Sequence, residues 1–214
     1  MTTEPRQLLL LLTWMSPAFP TGAFAYSHGL EWAIDTGLVR NGDEVSAWIS
    51  DLITRGSGWN DAVLFSRCWE EDASSLNELA LALATSRERH LETSQLGRAF
   101  RIAAGVFAAP ALDEDEIAYP IAAGSACAAM GIDRCDALLA YLQGFAATLT
   151  SVAVRLVPIG QTAGLEVLRD LAPVIARTAE RAATATHDDL GAITLCADIA
   201  AMKHETQRSR VFRT

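Results

Sequence analysis

The stretch RCDALLAYLQGFAATLTSVAVRLV, residues 134–157, decides the fold. Leu138, Leu142, Phe145, Leu149, Val152 and Leu156 recur at spacings of four and three, the repeat that lays one apolar stripe along an α-helix. Pro158 follows, and it cannot continue a helix because it lacks an N–H and its ring collides with the preceding turn. The stretch therefore predicts a buried central helix that stops at Pro158.

The same period extends outward. Val45, Trp48, Ile49, Leu52 and Ile53 predict an amphipathic helix over residues 43–54. Ser75 and Glu78, ahead of Leu79, Leu81 and Leu83, read as a capping box that opens another helix. Further helices are expected at residues 24–36, 59–71, 88–107, 120–130, 160–171, 173–185 and 188–202, the last capped by Asp188 with Asp189 in its first turn. β-branched residues do not alternate with polar ones, and the abundant alanine favours helix over strand. The expected fold class is all-α, one domain over residues 1–214 with about eight to ten helices around the central one. Small residues at 122–129 and 182–185 let helices approach closely, in the core or across a subunit interface.

Composition narrows the function. Half of the 214 residues are apolar and a fifth are charged, and a chain of this length buries roughly 70% of its unfolded surface without needing staples. A formal net charge of −9 repels a phosphate backbone, which argues against nucleic acid as a partner. Lys203 is the only lysine, so no Gly-rich loop ending in Lys-Ser or Lys-Thr exists, and any nucleotide chemistry belongs to a partner. Cys68, Cys127, Cys135 and Cys196 form no Cys-x-x-Cys pair and read as thiols in a reducing compartment. His28, His90, His187 and His204 are nowhere four residues apart on a helix, so no metal site or cofactor is expected of this chain alone.

A secretory reading is weighed at the N-terminus, where Arg6 precedes the apolar residues 8–14 and Ala23-Phe24-Ala25 resembles a cleavage site. The apolar run is short, Glu4 offsets Arg6, and Pro17 and Pro20 interrupt the segment. Other apolar stretches are expected to be broken by charge before the roughly 20 residues of a membrane span. The expectation is a cytoplasmic protein with no membrane partner.

Three segments stand out as carriers of function. In SPAFPTGAFAYSHGLE, residues 16–31, two prolines and Gly22 set a turn, after which a helix is expected to present Phe24, Tyr26, His28 and Glu31 near its start. Its free N–H groups could bind an anion or a carboxylate. An enzymatic alternative makes His28 a base oriented by Glu31, although Ser27 would point about 100° away from His28 on a helix. In VRLVPIGQT, residues 154–162, Arg155 lies where a helix C-terminus favours a cation. It could also be an arginine offered to a partner nucleotide hydrolase. In MKHETQRSRVFRT, residues 202–214, Lys203, Arg208, Arg210 and Arg213 face one acid, Glu205, with Val211 and Phe212 as apolar anchors. That basic end on an acidic chain suggests docking. The run Asp113-Glu114-Asp115-Glu116 reads as a solvated loop.

In this order and spacing the three segments resemble the UreF family of urease accessory proteins. Residues 16–31 are similar to its Ser-Pro-x-x-Pro-x-Gly-x-x-x-Tyr-Ser-x-Gly-Leu-Glu pattern, residues 154–162 to its Val-Arg-Leu-x-Pro-x-Gly-Gln-Thr turn, and residues 204–213 to its closing signature. The likeness spans essentially the whole chain. His28 stands where glutamine is common, and Arg208 where an aromatic often sits. The resemblance implies a non-catalytic, all-helical homodimer that binds the UreD/UreH accessory protein and, through it, the GTPase UreG, so that GTP-driven nickel transfer reaches apo-urease. It implies that Lys203, Glu205, Arg208, Arg210 and Phe212 dock UreD/UreH on a tail that orders on binding. Tyr26 and Glu31 would meet the GTPase or shape a metal route, and Arg155 is the candidate for stimulating UreG hydrolysis.

Overall fold

A computed structural model describes residues 4–107, 109 and 114–214. The α-helices are α1 (Pro5–Trp14), α2 (Leu30–Asp35), α3 (Gly42–Arg55), α4 (Ser57–Arg67), α5 (Ala73–Ala82), α6 (Arg87–Ala104), α7 (Tyr119–Ala129), α8 (Arg134–Leu156), α9 (Gly160–Ala182) and α10 (Leu195–His204). Short 3-10 turns lie at Ala23–Ala25, Gly105–Phe107 and His187–Asp189. Among the described residues there is no strand, and the fold is all-α.

The central helix is α8. Asp133 caps it by accepting the Cys135 and Asp136 amides, and the helix ends one residue before Val157, as Pro158 requires. Leu138, Leu142, Leu149 and Val152 are buried, while Phe145 and Leu156 are half-buried. α8 packs along α9 and also meets α1, α2, α3, α4 and α7. Each leucine so enclosed stabilises the fold by about 2 kcal/mol. From Ala137 to Val154 no charged residue interrupts α8, which is therefore long and apolar enough to cross a membrane by length and composition. Here its apolar surface is instead turned against neighbouring helices.

Several sequence expectations change. Residues 160–171 and 173–185 form one helix, α9, with Pro173 inside it. Gly164, Val167, Leu171, Ile175, Thr178 and Ala182 keep one buried stripe running past the proline. Pro173 and Arg169 are both exposed, so the carbonyl left without its usual partner can meet water. At α5 the N-cap is Asp72, whose side chain accepts the Ser75 amide, in place of the expected Ser75. Asp188 does not open a helix: Thr186 and Asp189 form a reciprocal capping box around a single 3-10 turn, and α10 begins only at Leu195. The acidic loop is described from Glu114 to Glu116; Asp113 lies outside the described residues.

The helix expected over residues 24–36 is broken in two. His28 and Gly29 both adopt left-handed backbone, with φ of 57° and 76°, a conformation in which no α-helix can continue. Gly29 is needed for a second reason. A Cβ there would lie 2.7 Å from the Ala201 amide nitrogen, so its absence lets α2 and α10 touch. This break positions the site.

Candidate functional site

Because the chain turns sharply at residues 28–29, Glu31 in the first turn of α2 faces α10, where His204 is fully buried in the last turn. His204 Nε2 lies 3.1 Å from Glu31 Oε2, and its Nδ1 lies 2.7 Å from Glu88 Oε2 on α6. A carboxylate oxygen therefore faces each ring nitrogen.

The two carboxylates also hold the C-terminal segment. Glu88 Oε1 accepts from Arg210 Nη1 at 2.6 Å. Glu31 accepts the Val211 amide at 2.7 Å and the Phe212 amide at 2.9 Å. Beyond them the Arg213 amide donates to the Ala25 carbonyl at 2.8 Å, and the Ser27 amide to the Thr214 carbonyl at 2.8 Å. The Thr214 hydroxyl donates to Glu92 Oε2 at 2.9 Å. Phe212 is 4% exposed and lies beneath Arg155, whose guanidinium carbon is 5.2 Å from the ring centroid. The segment expected to be free until bound is here seated on the body.

A second buried group adjoins the first. The His28 ring sits between Glu92, at 3.5 Å from Nδ1, and the Ser57 hydroxyl at Nε2, with Phe145 edge-on. Arg89 pairs with Glu92 at 2.6 Å. Burial depresses the His28 pKa, and the Arg89 charge adds to that. Burial alone would raise Glu92, but the charge of Arg89 and the His28 ring outweigh it and hold the carboxyl at about 2. Burial pushes Asp61 up to about 6, partly offset by Arg89. Asp61, Arg89, Glu92, His28, Tyr26 and Tyr141 supply polar groups to a partly open, mainly apolar pocket of about 70 Å³, room for a few waters.

Ser57, His28 and Glu92 stand in the order of a nucleophile, base and orienting acid. These are not the groups the sequence suggested, since Ser27 binds Thr214 and Glu31 binds His204. The space beside Ser57 is about 20 Å³, enough for one water.

The structure thus brings together the sequence-derived candidates Glu31, Arg155, Arg210 and Phe212. Tyr26 is buried, its hydroxyl donating to Gln95 Oε1. Glu205 accepts the Arg87 and Glu88 amides at 2.9 and 3.4 Å, adding a second acceptor to the α6 N-terminus. Lys203, Arg208 and Arg155 are exposed. Tyr26, Glu31 and Phe212, expected to meet a partner, are buried in this structure. Sequence reading missed His204, Glu88, Glu92, Arg89, Asp61 and Ser57. The one available signal was Glu88-Arg89 with Glu92 on a helix, which ordinarily marks a solvated face.

Fold and site together define an all-helical protein in which three sequence segments, far apart in the chain, close on one another at one end. A model of the UreF family matches residues 39–172. The chain is 46% identical over 223 residues to a urease accessory protein UreF of Mesorhizobium japonicum, covering all of both chains. It is 45% identical to those of Brucella ovis, covering all of this chain and 97% of that one, and Methylorubrum populi, covering 96% and 98%. The chain belongs to the UreF family of urease accessory proteins.

Proposed function

We propose that the chain is a non-catalytic scaffold of urease maturation, working in the cytoplasm as a homodimer. It binds the UreD/UreH accessory protein and, through that complex, the GTPase UreG, so that nickel travels as cargo into apo-urease. The observation that carries this reading is the convergence of residues 23–31, Arg155 and residues 203–214 at one end of the molecule. There Lys203, Arg208, Arg210 and Arg213 are exposed on a chain of net charge −9, which suits an acidic partner surface. Co-purification of the full chain with UreD/UreH and UreG proteins of the same source, with the mass measured by size exclusion, tests it. A stable complex is expected; an isolated chain that ignores both partners overturns the reading.

A second reading has Arg155 stimulating UreG hydrolysis, favoured by its exposed place at the end of α8. It requires single-turnover GTP hydrolysis in the complex to slow at least about tenfold in Arg155→Ala, and equal rates exclude it.

A further inference from the structure

We propose that the pocket bordered by Arg89, Tyr119 and Asp61 binds a small neutral amide, whose carbonyl oxygen takes the spare donors of Arg89 and Tyr119 and whose N–H group reaches Asp61. This site is independent of partner docking and stands or falls without it.

The polar side of the pocket carries hydrogen-bonding capacity that the protein itself does not use. Arg89 is 7% exposed and commits Nη1 to Glu92 Oε2 at 2.6 Å. Among the described residues its Nε and Nη2 groups have no partner. A guanidinium has five N–H donors, and enclosing it with donors unpaired is costly. Tyr119 stacks its ring against Phe100 and Tyr141 at centroid distances of 5.8 and 5.4 Å. Its hydroxyl has no partner among the described residues. Asp61 accepts the Tyr141 hydroxyl at 3.3 Å through Oδ2, which leaves Oδ1 open. The three groups come from α6, α7 and α4 and line one pocket. Arg89 and Asp61 also border the smaller space beside Ser57.

Size and charge then select the ligand. Trp14, Leu96, Phe145 and Leu149 contribute to the apolar wall. A dry cavity of about 150 Å³ admits benzene, so the roughly 70 Å³ here admits a molecule of about three to five non-hydrogen atoms. Arg89 is matched by Glu92, and burial keeps His28 neutral. Asp61, with its pKa raised to about 6 by burial, adds one negative charge at about pH 7.5. An anion such as acetate is repelled by that charge. A cation such as methylammonium offers Arg89 and Tyr119 no acceptor, and a hydrocarbon leaves all three groups unpaired. A primary amide has both a carbonyl acceptor and N–H donors, with a short alkyl group for the apolar wall.

The test titrates the isotope-labelled full chain with acetamide, and separately with acetate and with methylammonium, at about pH 7.5 and constant ionic strength. Methyl signals of Leu96 and Leu149 report the pocket, and those of exposed Leu165 and Leu195 are the control. Acetamide should give saturable shifts at Leu96 and Leu149 alone, with a dissociation constant on the order of 1–10 mM; the two ions should give none. Tyr119→Phe keeps both ring contacts and should weaken acetamide by about three- to tenfold. Arg89→Gln should abolish the shifts, and Tyr119→Phe decides the matter should Arg89→Gln not fold. No saturation up to about 100 mM acetamide overturns the site. Acetate or methylammonium binding as tightly as acetamide overturns the amide class, and an unchanged constant in Tyr119→Phe overturns the assigned contacts.

Discussion

Glu31 accepts the backbone amide of Phe212 at 2.9 Å, joining the first turn of α2 to the end of the chain. The contact makes the C-terminal segment part of the folded body. Glu31→Ala removes the acceptor of the Val211 and Phe212 amides and the carboxylate that faces His204. Leaving these donors without partners should lower stability by about 2 kcal/mol or more, read as a lower denaturant midpoint at unchanged slope. Glu31→Gln, which keeps an acceptor, should lose less.

Phe212 is the apolar anchor of the C-terminal segment. Phe212→Ala deletes a buried ring worth about 3 kcal/mol in a core, but the loss cannot exceed the free energy that seats the segment, because the tail can detach. Phe212→Ala and deletion of residues 208–214 should therefore lower the thermal midpoint by nearly the same amount. A deletion that costs nothing would mean the segment contributes no stability.

Asp61 gives a pH-dependent prediction. Its folded pKa, about 6, lies above the ordinary 3.8, so the folded state keeps a proton that the unfolded chain releases. Stability from this group is full below about pH 4 and is lost as pH rises through about 6. Asp61→Asn should thus stabilise the protein near pH 7 by on the order of 1–3 kcal/mol and give no gain at about pH 4. Glu92, held at about 2, acts in the opposite sense, contributing above its ordinary 4.5 and failing as pH falls toward 2; it is common to both proteins at each pH and cancels. Urea unfolding of the pair at the two pH values decides the sign.

Gly97 allows α6 and α7 to pack, since a Cβ there would lie 2.0 Å from the Ile117 carbonyl oxygen. Backbone cannot yield as a side-chain tip can. Gly97→Ala should destabilise by more than about 3 kcal/mol or prevent folding, whereas Gly105→Ala, with nothing within 4 Å, should be nearly neutral by thermal melting.

Much of the fold was legible because α3 and α8 write their buried faces in leucine, isoleucine and valine at helical spacing. The stripe across Pro173 was legible too, from Val167 through Ile175. The break at His28 was hidden because a non-glycine residue rarely adopts positive φ; contacts with Ser57 and Glu92, remote in sequence, surround it. The same reason concealed the group around His204. Glu88 and His204 are 116 residues apart, and a charged residue on a helix reads as solvated until its partner is known. Tyr26, Glu31 and Phe212 were picked out by motif, which marks positions without saying whether they face a partner or the interior.

The most direct measurement is the affinity of the UreD/UreH protein for the full chain and for a chain lacking residues 208–214, with circular dichroism confirming that both are folded. Binding should be lost by at least about a hundredfold while helicity is kept. Equal affinity for the two chains would contradict the account.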